Sequence, residues 1–282
     1  MDIREIDVKL ITDNLAEMSF KINHFLSEDM KRALDKACEE ESSPLGKQVL
    51  GVLQENLKVA EEKTIPICQD TGMAVVFLEI GQDVHFVGGD LTRAVNEGIR
   101  RGYTEGYLRK SVVEDPILRN NTGDNTPAII HTEIVPGNRL RISLAPKGFG
   151  SENMSAVYML KPAFGIEGVK EAVLKTVKEA GPNACPPVVV GVGIGGDFEK
   201  CALMSKKALL RKTGEHSKIE WVSELENDLL KKINESGIGP GGLGGRMTAL
   251  AVNVETYPTH IAGLPVAVNM CCHVNRHITV EI

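Results

Sequence analysis

The sequence predicts an α/β (or α+β) fold in which N-terminal helices are followed by mixed strands and helices in one compact unit. Apolar residues recur at helical spacing in the first part of the chain, and short apolar runs alternate with helical stretches after it. No linker, repeat or low-complexity tract divides the 282 residues. We therefore expect a single domain over 1–282, with a helical part over 1–63 and a part over 64–282 that carries the functional residues.

Three helices are expected at the start of the chain. An apolar stripe that begins at Ile3 predicts the first helix. Ser27 is a good N-cap residue and two acidic residues follow it, so the second helix is expected to begin there. Pro44 suits the first position of a third helix, because its missing N–H would have no partner at that position. We expect these helices to serve as scaffold.

Apolar runs and turn residues define the elements of the second part. The predicted strands cover 74–80, 128–135, 139–144, 188–194, 248–254, 264–270 and 277–282. The predicted helices cover 91–99, 154–160, 166–179, 198–210 and 219–233. Pro136, Gly137 and Asn138 are turn residues, so the strands on either side of them are expected to pair as a hairpin.

The composition excludes several classes of partner. Lys plus Arg number 32 against 38 Asp plus Glu, so neither nucleic acid nor an anionic membrane surface is an expected partner. The N-terminus is charged where a signal peptide needs an apolar stretch, and no run approaches the roughly 18 apolar residues of a membrane span. We expect a cytoplasmic protein whose six cysteines are thiols or metal ligands and form no disulfide framework.

A glycine motif overlaps the end of the predicted strand at 188–194 and precedes the helix that follows it. Gly191 to Gly196 reads G-x-G-x-x-G, which is the pattern of a dinucleotide-binding turn. That fold also needs a second strand ending in an acidic residue about twenty positions further on, and helical sequence stands there instead. We expect these glycines to permit close packing rather than to bind NAD.

The cysteines fall into groups according to their sequence surroundings. Cys38 and Cys201 lie within amphipathic helices, where a free cysteine usually acts as a small buried apolar residue. Cys68, Cys185 and Cys272 lie in loops or at strand ends. Three scattered thiolates suit an iron–sulfur cluster that keeps one iron open for substrate, but three unrelated buried thiols would give the same pattern. The cysteines alone leave both interpretations open.

Further polar residues supply the chemistry that a carboxylic-acid site requires. Arg109 offers a planar fork for a carboxylate, and the glycine loop at 147–153 can direct backbone N–H groups at an anion. Asp70 and His260 can move protons. Each of these residues also has a plain structural interpretation, as a surface cation, a turn residue or a strand-end polar residue.

Four separate motifs point together to one family. They are Ile67-Cys68-Gln69-Asp70-Thr71-Gly72, Lys147-Gly148-Phe149-Gly150-Ser151-Glu152-Asn153, Ala184-Cys185-Pro186-Pro187 and Val268-Asn269-Met270-Cys271-Cys272-His273. In this order they resemble the class I (iron–sulfur) fumarate hydratases and the related L-tartrate dehydratases. The resemblance runs from about Cys68 to the C-terminus and is to the α subunit of the two-chain form.

The resemblance implies a cofactor and a set of site residues. It implies a [4Fe–4S] cluster held by Cys68, Cys185 and Cys272. The substrate contacts that it implies are Gln69, Asp70, Arg109 and Gly148, and the catalytic residues that it implies are Asp70 and His260. The chain departs from the usual family pattern at Cys271, which makes a vicinal pair with the third ligand, and at Phe149, where the glycine loop of the family commonly has another glycine.

The resemblance also implies an activity and a partner. The expected activity is the reversible hydration of fumarate to L-malate, with a C4 dicarboxylate as substrate and the open iron of the cluster as a Lewis acid. The expected partner is a β subunit, which carries the threonine thought to act as base, in an α₂β₂ assembly. The alternatives are the α subunit of L-tartrate dehydratase, which makes oxaloacetate, and a non-catalytic iron–sulfur or thiol-based binding protein.

Overall fold

The computed structural model of the protein describes residues 3–282 and contains helices and mixed sheets, which confirms the predicted α/β class. The helices are α1 (Val8–His24), α2 (Glu28–Glu40), α3 (Pro44–Lys63), α4 (Leu91–Glu105), α5 (Phe149–Glu152), α6 (Gly165–Ala180), α7 (Phe198–Ala208) and α8 (Glu220–Asn234). The strands are β1 (Arg4–Asp7), β2 (Met73–Gly81), β3 (Val84–Val87), β4 (Ile129–Val135), β5 (Leu140–Lys147), β6 (Ala156–Leu160), β7 (Val188–Gly196), β8 (Ala249–Thr259), β9 (Leu264–Cys271) and β10 (Ile278–Glu281). Short 3-10 turns cover Pro162–Phe164, Gly181–Ala184 and Pro240–Gly242.

The chain divides into two compact units. The first contains the chain up to Ser27 together with Val59–Gly148 and Arg276–Ile282, and the second contains Glu28–Lys58 and Phe149–Asn275. The expectation of a single catalytic domain over 1–282 stays a prediction. No helix within residues 3–282 combines the length and the apolar character that crossing a membrane requires.

The first unit is built on a four-stranded sheet in the order β10-β5-β2-β4. The predicted hairpin of β4 and β5 is wrong, because β2 lies between them, parallel to β4 and antiparallel to β5. β2 is buried along most of its length, whereas β4 is largely exposed. The most apolar strand therefore takes a central position in the sheet, and the turn at 136–138 joins two strands that are not neighbours.

The start of α1 also differs from the prediction. Residues Arg4–Asp7 form β1, which pairs in parallel with β3, and the helix begins only at Val8. The Asp7 carboxylate accepts a hydrogen bond from the Lys9 backbone N–H at 2.8 Å and so caps the helix. Asp7 caps the helix with extended backbone, so the residues before it are not helical. The apolar stripe that includes Ile3 and Ile6 therefore begins before the helix and continues into it.

The core of the first unit lies between its sheet and the apolar faces of α1 and α4. Ile11 and Leu15 of α1, Val95 and Ile99 of α4 and Val76 of β2 are all fully buried in it. This packing fixes the C-terminal end of α4, from which the chain continues to Arg109.

The second unit is built on a sheet in the order β6-β9-β7-β8, in which only β7 and β8 run parallel. Alternate residues of β7, such as Val190 and Val192, share one apolar cluster with residues of α6 and α8. The intervening glycines of β7 face α7. Helices therefore cover both faces of this sheet.

The glycine motif of β7 serves packing, as predicted. A Cβ atom at Gly191 would lie 2.1 Å from the Ser205 carbonyl oxygen, and one at Gly193 would lie 2.1 Å from that of Cys201. Both carbonyls belong to α7, so any side chain at these positions would collide with the backbone of the helix. The absence of side chains is what allows α7 to approach the sheet this closely.

The predicted helix over 154–160 is wrong, because Ala156–Leu160 form the strand β6, paired antiparallel with β9. Val157 and Met159 are exposed, while Tyr158 and Leu160 pack against the core. This alternation has the period of a strand. The segment is too short for its apolar residues to distinguish a period of two from one of 3.6.

Candidate functional site

The loop between α3 and β2 carries Cys68, Gln69 and Asp70, and buried side chains hold its backbone. Three consecutive carbonyl oxygens in it each accept a hydrogen bond from a side chain that comes from a distant part of the sequence. The bonds run from Arg276 Nη2 to Asp70 O at 2.8 Å, from Tyr103 Oη to Thr71 O at 2.8 Å and from Asn125 Nδ2 to Gly72 O at 3.2 Å. Burial raises the pKa of Tyr103, so its hydroxyl remains a donor. The loop is irregular in secondary structure but its backbone is fixed.

The carboxylate of Asp70 lies against the glycine that follows β5. Asp70 Oδ1 accepts the backbone N–H of Gly72 at 3.0 Å, which closes a local turn. Asp70 Oδ2 would lie 3.2 Å from a Cβ atom built at Gly148. Because this distance is shorter than an ordinary contact, glycine at position 148 is what lets the Asp70 carboxylate approach the backbone there.

Arg109 is tied to the same loop through Thr71. The Thr71 hydroxyl accepts the backbone N–H of Arg109 at 2.9 Å and lies 3.3 Å from the Arg109 carbonyl oxygen. Thr71 is buried, whereas the Arg109 side chain is exposed. One buried residue next to Asp70 thus sets the backbone from which the Arg109 guanidinium projects.

A buried cation adjoins this group. Lys147 is 4% exposed, and its ammonium donates to the Gly148 carbonyl oxygen at 3.1 Å. The structure therefore brings together Asp70, Arg109 and Gly148 from three separate segments of the first unit, with Gln69 exposed beside Asp70. An exposed guanidinium, a buried ammonium and a carboxylate able to move a proton suit an anionic substrate.

Cys185 and Cys272 lie at one end of the sheet of the second unit. Cys185 precedes β7 and has left-handed backbone, with φ 55° and ψ 64°. Cys272 follows β9, and His273 beside it contacts the Cys185 carbonyl oxygen through its backbone N–H at 3.5 Å and through ring Nδ1 at 3.1 Å. The antiparallel pairing of β7 with β9, which sets Val189 opposite Cys271, brings the two cysteine segments together.

His260 lies at the other end of this sheet. It follows β8, whose Thr259 is paired with Gly196 at the far end of β7. Eight residues of β9 span about 25 Å when extended, so the unit does not bring His260 near Cys185 or Cys272. His260 is exposed, and its Nδ1 accepts the Ala262 backbone N–H at 3.2 Å.

Exposure and position outside a helix together distinguish the cysteines that could bind a metal from the other cysteines. Cys185 is exposed, and Cys68 and Cys272 are partly buried, whereas Cys201 and Cys271 are buried. Burial raises the pKa of the Cys201 thiol, as expected for an apolar packing residue. Cys38, predicted to be buried, is only partly so. Among residues 3–282, neither unit contains a group of three His, Cys, Asp or Glu side chains placed to hold a metal ion.

The sequence analysis missed the residues that support the site. Arg276, Tyr103 and Asn125 are buried and hold the Asp70 loop, but none of them belongs to a motif. Tyr103 could have been noticed as a polar group on the apolar face of α4, and Arg276 as a charge between two apolar segments. Neither signal indicates which backbone atom the side chain would contact.

Comparisons with known proteins identify the family of the chain. Residues 12–281 match the family model described as "Fumarate hydratase (Fumerase)". A Methanocaldococcus jannaschii protein provisionally named L(+)-tartrate dehydratase subunit alpha is 43% identical over 272 residues, which cover 94% of this chain and 95% of that protein. The L(+)-tartrate dehydratase subunit alpha of Escherichia coli K12 is 30% identical over 281 residues, which cover 98% of this chain and 91% of that protein. The chain belongs to the fumarate hydratase (Fumerase) family of hydro-lyases.

Proposed function

We propose that this chain is the α subunit of a two-chain fumarate hydratase, which adds water to fumarate to give L-malate and removes it in the reverse direction. The observation that carries the proposal is the grouping of Asp70, Arg109 and Gly148 around one loop of the first unit. Fumarate and L-malate both carry two carboxylates, so a site for them needs cations, N–H donors and a group that moves a proton.

The residues of the first unit divide these tasks. Arg109 binds one substrate carboxylate through its planar fork, and the backbone N–H of Gly148 supports it. Gln69 supplies an amide to the substrate, and Asp70 orients or exchanges a proton. Lys147 contributes positive charge from a buried position, where solvent screens it least.

The donor set of the chain fits a [4Fe–4S] cluster. Among the described residues the six cysteines form no disulfide, and Cys68, Cys185 and Cys272 are the loop cysteines that reach solvent. We assign the cluster to these three residues, which leaves one iron without a protein ligand. When bound, the cluster supplies Lewis-acid activation of the substrate hydroxyl and of one carboxylate.

The complete enzyme requires a β subunit in this proposal. The relatives are named as alpha subunits, which supports a second chain in the assembly. The resemblance places the threonine base on that second chain, and we propose an α₂β₂ complex in which it removes the proton next to the carboxylate. We propose His260 as a further catalytic residue on the resemblance alone, since the pairing of the second unit's sheet places it at the end opposite Cys185 and Cys272.

L-Tartrate dehydration is a second candidate, which the names of the relatives favour. L-Tartrate is also a C4 dicarboxylate, and it differs from L-malate by one additional hydroxyl. Loss of water from it gives oxaloacetate after tautomerisation. The same cations and the same open iron would serve both reactions, so the substrate has to be determined by measurement.

The test is an anaerobic assay of the reconstituted α–β complex on fumarate and on L-tartrate, with the iron content measured on the same sample. Turnover of fumarate at the higher kcat/KM supports the proposal, and the opposite order supports the tartrate dehydratase. A complex that holds iron but converts neither substrate would overturn both and favour a non-catalytic iron–sulfur protein. A reconstituted complex that holds no iron would contradict the proposed cluster as well.

A further inference from the structure

A buried arginine outside the predicted site holds the loop that carries Cys68, Gln69 and Asp70. Arg276 is 3% exposed and precedes β10. Its Nη2 donates to the Asp70 carbonyl oxygen at 2.8 Å, and its Nη1 donates to Asn23 Oδ1 at 2.8 Å. Because burial of a charge is costly without hydrogen bonds, these two bonds fix the side chain.

Asn23 forms a hydrogen bond with the N-terminal end of the same loop. It is fully buried in α1, where its Nδ2 donates to the Ser19 carbonyl oxygen at 2.9 Å. The backbone carbonyl oxygen of Asn23 accepts the backbone N–H of Ile67 at 2.9 Å. The loop is therefore held at Ile67 by Asn23 and at Asp70 by Arg276, and the residues between these two points are Cys68 and Gln69.

The guanidinium also lies close to the glycine of the site. Arg276 Nη2 would be 3.9 Å from a Cβ atom at Gly148, and Asp70 Oδ2 would be 3.2 Å from it. The Arg276 Nε has no hydrogen-bond partner among the described residues. The guanidinium therefore lies beside the glycine that the Asp70 carboxylate approaches.

We infer that Arg276 is a positioning residue, which fixes the backbone of Cys68, Gln69 and Asp70 and thereby the direction of the Asp70 carboxylate. The effect on turnover rests on the proposed function, whereas the effect on the loop does not. A lysine at this position keeps the charge but cannot reach Asn23 Oδ1 and the Asp70 carbonyl oxygen with a rigid fork. Arg276→Lys therefore separates geometry from charge.

The experiment compares Arg276→Lys with wild type in the α–β complex. We expect kcat per mole of bound iron to fall by about 100-fold, as for a reacting group displaced by about 1 Å, while KM stays close to the wild-type value. We also expect faster amide hydrogen exchange at Ile67 to Gly72 in the variant. Asn23→Ala keeps the backbone bond to Ile67 but removes the Oδ1 acceptor of Arg276 Nη1, so we expect it to change both quantities in the same direction.

Arg211→Lys is the matched control. Arg211 bonds to Glu226, Glu255 and the Val254 carbonyl oxygen in the second unit, so its replacement also removes a fork from a carboxylate and a backbone oxygen. We expect this variant to be destabilised without a change in kcat per iron. If Arg276→Lys does not fold, the comparison of Asn23→Ala with wild type tests the inference instead.

Two results would overturn the inference. One is unchanged exchange at 67–72 in both Arg276→Lys and Asn23→Ala, which would show that the loop does not depend on them. The other is a faster-exchanging loop with wild-type kcat and KM, which would leave Arg276 a purely structural role. If the wild-type complex converts neither substrate, the proposed function fails, and the exchange data alone decide whether Arg276 positions the loop.

Discussion

Exposure and position outside a helix together separate the three proposed ligand cysteines from the other three. A metal binds the thiolate, so a ligand cysteine needs an environment in which the thiol can lose its proton. Cys201 is fully buried and its pKa is raised by that burial, which disfavours the thiolate. Cys185 is exposed and Cys68 and Cys272 are partly so. The accessible cysteines outside helices are the ones that the family resemblance assigns to the cluster.

Replacement of single cysteines tests that assignment. Cys68→Ser, Cys185→Ser and Cys272→Ser are each expected to abolish the cluster, because three ligands are the minimum for a cubane with one open iron. Iron and sulfide analysis of anaerobically reconstituted protein measures this, and the wild type is expected to hold about four irons per chain. Cys38→Ser and Cys201→Ser are the controls and are expected to keep the iron.

Cys271 is the residue whose replacement could contradict the assignment of Cys272 as the third ligand. It is 4% exposed and is paired with Val189 inside the sheet, so we expect Cys271→Ser to keep the iron. If Cys271→Ser loses the iron while Cys272→Ser retains it, the third ligand is displaced by one residue. The proposed ligand set would then have to be revised.

The motifs single out the proposed site residues but do not indicate the residues that support them. Asp70 and Arg109 stand in motifs or offer a recognisable function. Arg276 contacts Asp70 across 206 positions and Tyr103 contacts Thr71 across 32 positions. Only the folded chain brings such partners together, and no local pattern specifies them.

At the scale of elements, the approach of α7 to β7 depends on glycine. Gly193→Ala would place a methyl carbon 2.1 Å from the Cys201 carbonyl oxygen. A backbone atom cannot move aside as a side chain does, so we expect a loss of about 3 kcal/mol or more in the free energy of unfolding. Urea unfolding of the purified protein measures it.

Gly51→Ala is the control for that variant. Gly51 lies within α3 and nothing stands within 4 Å of the position of a new Cβ atom. The substitution is expected to stabilise the helix by up to about 1 kcal/mol, because alanine loses less backbone entropy. Equal effects of the two substitutions would contradict the packing explanation.

A buried carboxylate joins the α2–α3 connection to the 240–247 loop. Glu41 is 1% exposed and accepts backbone N–H bonds from Ser42, Ser43, Arg246 and Met247 at 2.8–2.9 Å. Burial opposes its ionisation, but these donors outweigh burial and hold the pKa of Glu41 below its ordinary value of 4.5. The ionised carboxylate therefore stabilises the fold.

Acid is expected to remove this contribution. A lowered carboxyl pKa stabilises the protein above the pKa of the unfolded chain, and the contribution is lost as the pH falls through the folded pKa. We expect Glu41→Gln to be less stable than wild type at neutral pH, with a difference that narrows below about pH 4.5. Glu40→Gln, at an exposed neighbouring position, is the control. A difference that is independent of pH would contradict the role of the charge.

Helices and strands were predicted best where their patterns were long. The apolar runs of β2 and β7 and the periodic stretches of α3 and α8 appear close to their predicted positions. β6 has five residues, too few to show its period, and the sequence predicts a helix there. The pairing of β4 and β5 could not be predicted, because a turn reverses the chain but does not determine whether a third strand enters between the two strands.

At the scale of the whole molecule, the predicted site residues are distributed over both compact units. Cys68, Gln69, Asp70, Arg109 and Gly148 belong to the first unit, and Cys185, Cys272 and His260 belong to the second. The motifs identified these residues one at a time. In the second unit, the pairing of β7, β8 and β9 determines the end of the sheet at which each predicted residue lies. This pairing separates His260 from the cysteines of its own unit.

We propose that this chain supplies substrate anchors and cluster ligands while its partner supplies the base. A positioned base contributes about 10²–10⁴-fold to the rate, so the α chain alone is expected to be almost inactive. The direct test is an anaerobic titration of fixed, iron-loaded α chain with β subunit, in which the conversion of fumarate or L-tartrate is followed. We predict negligible turnover without β and saturation at one β per α. Full turnover in the absence of β would show that this chain carries its own base and would contradict the account.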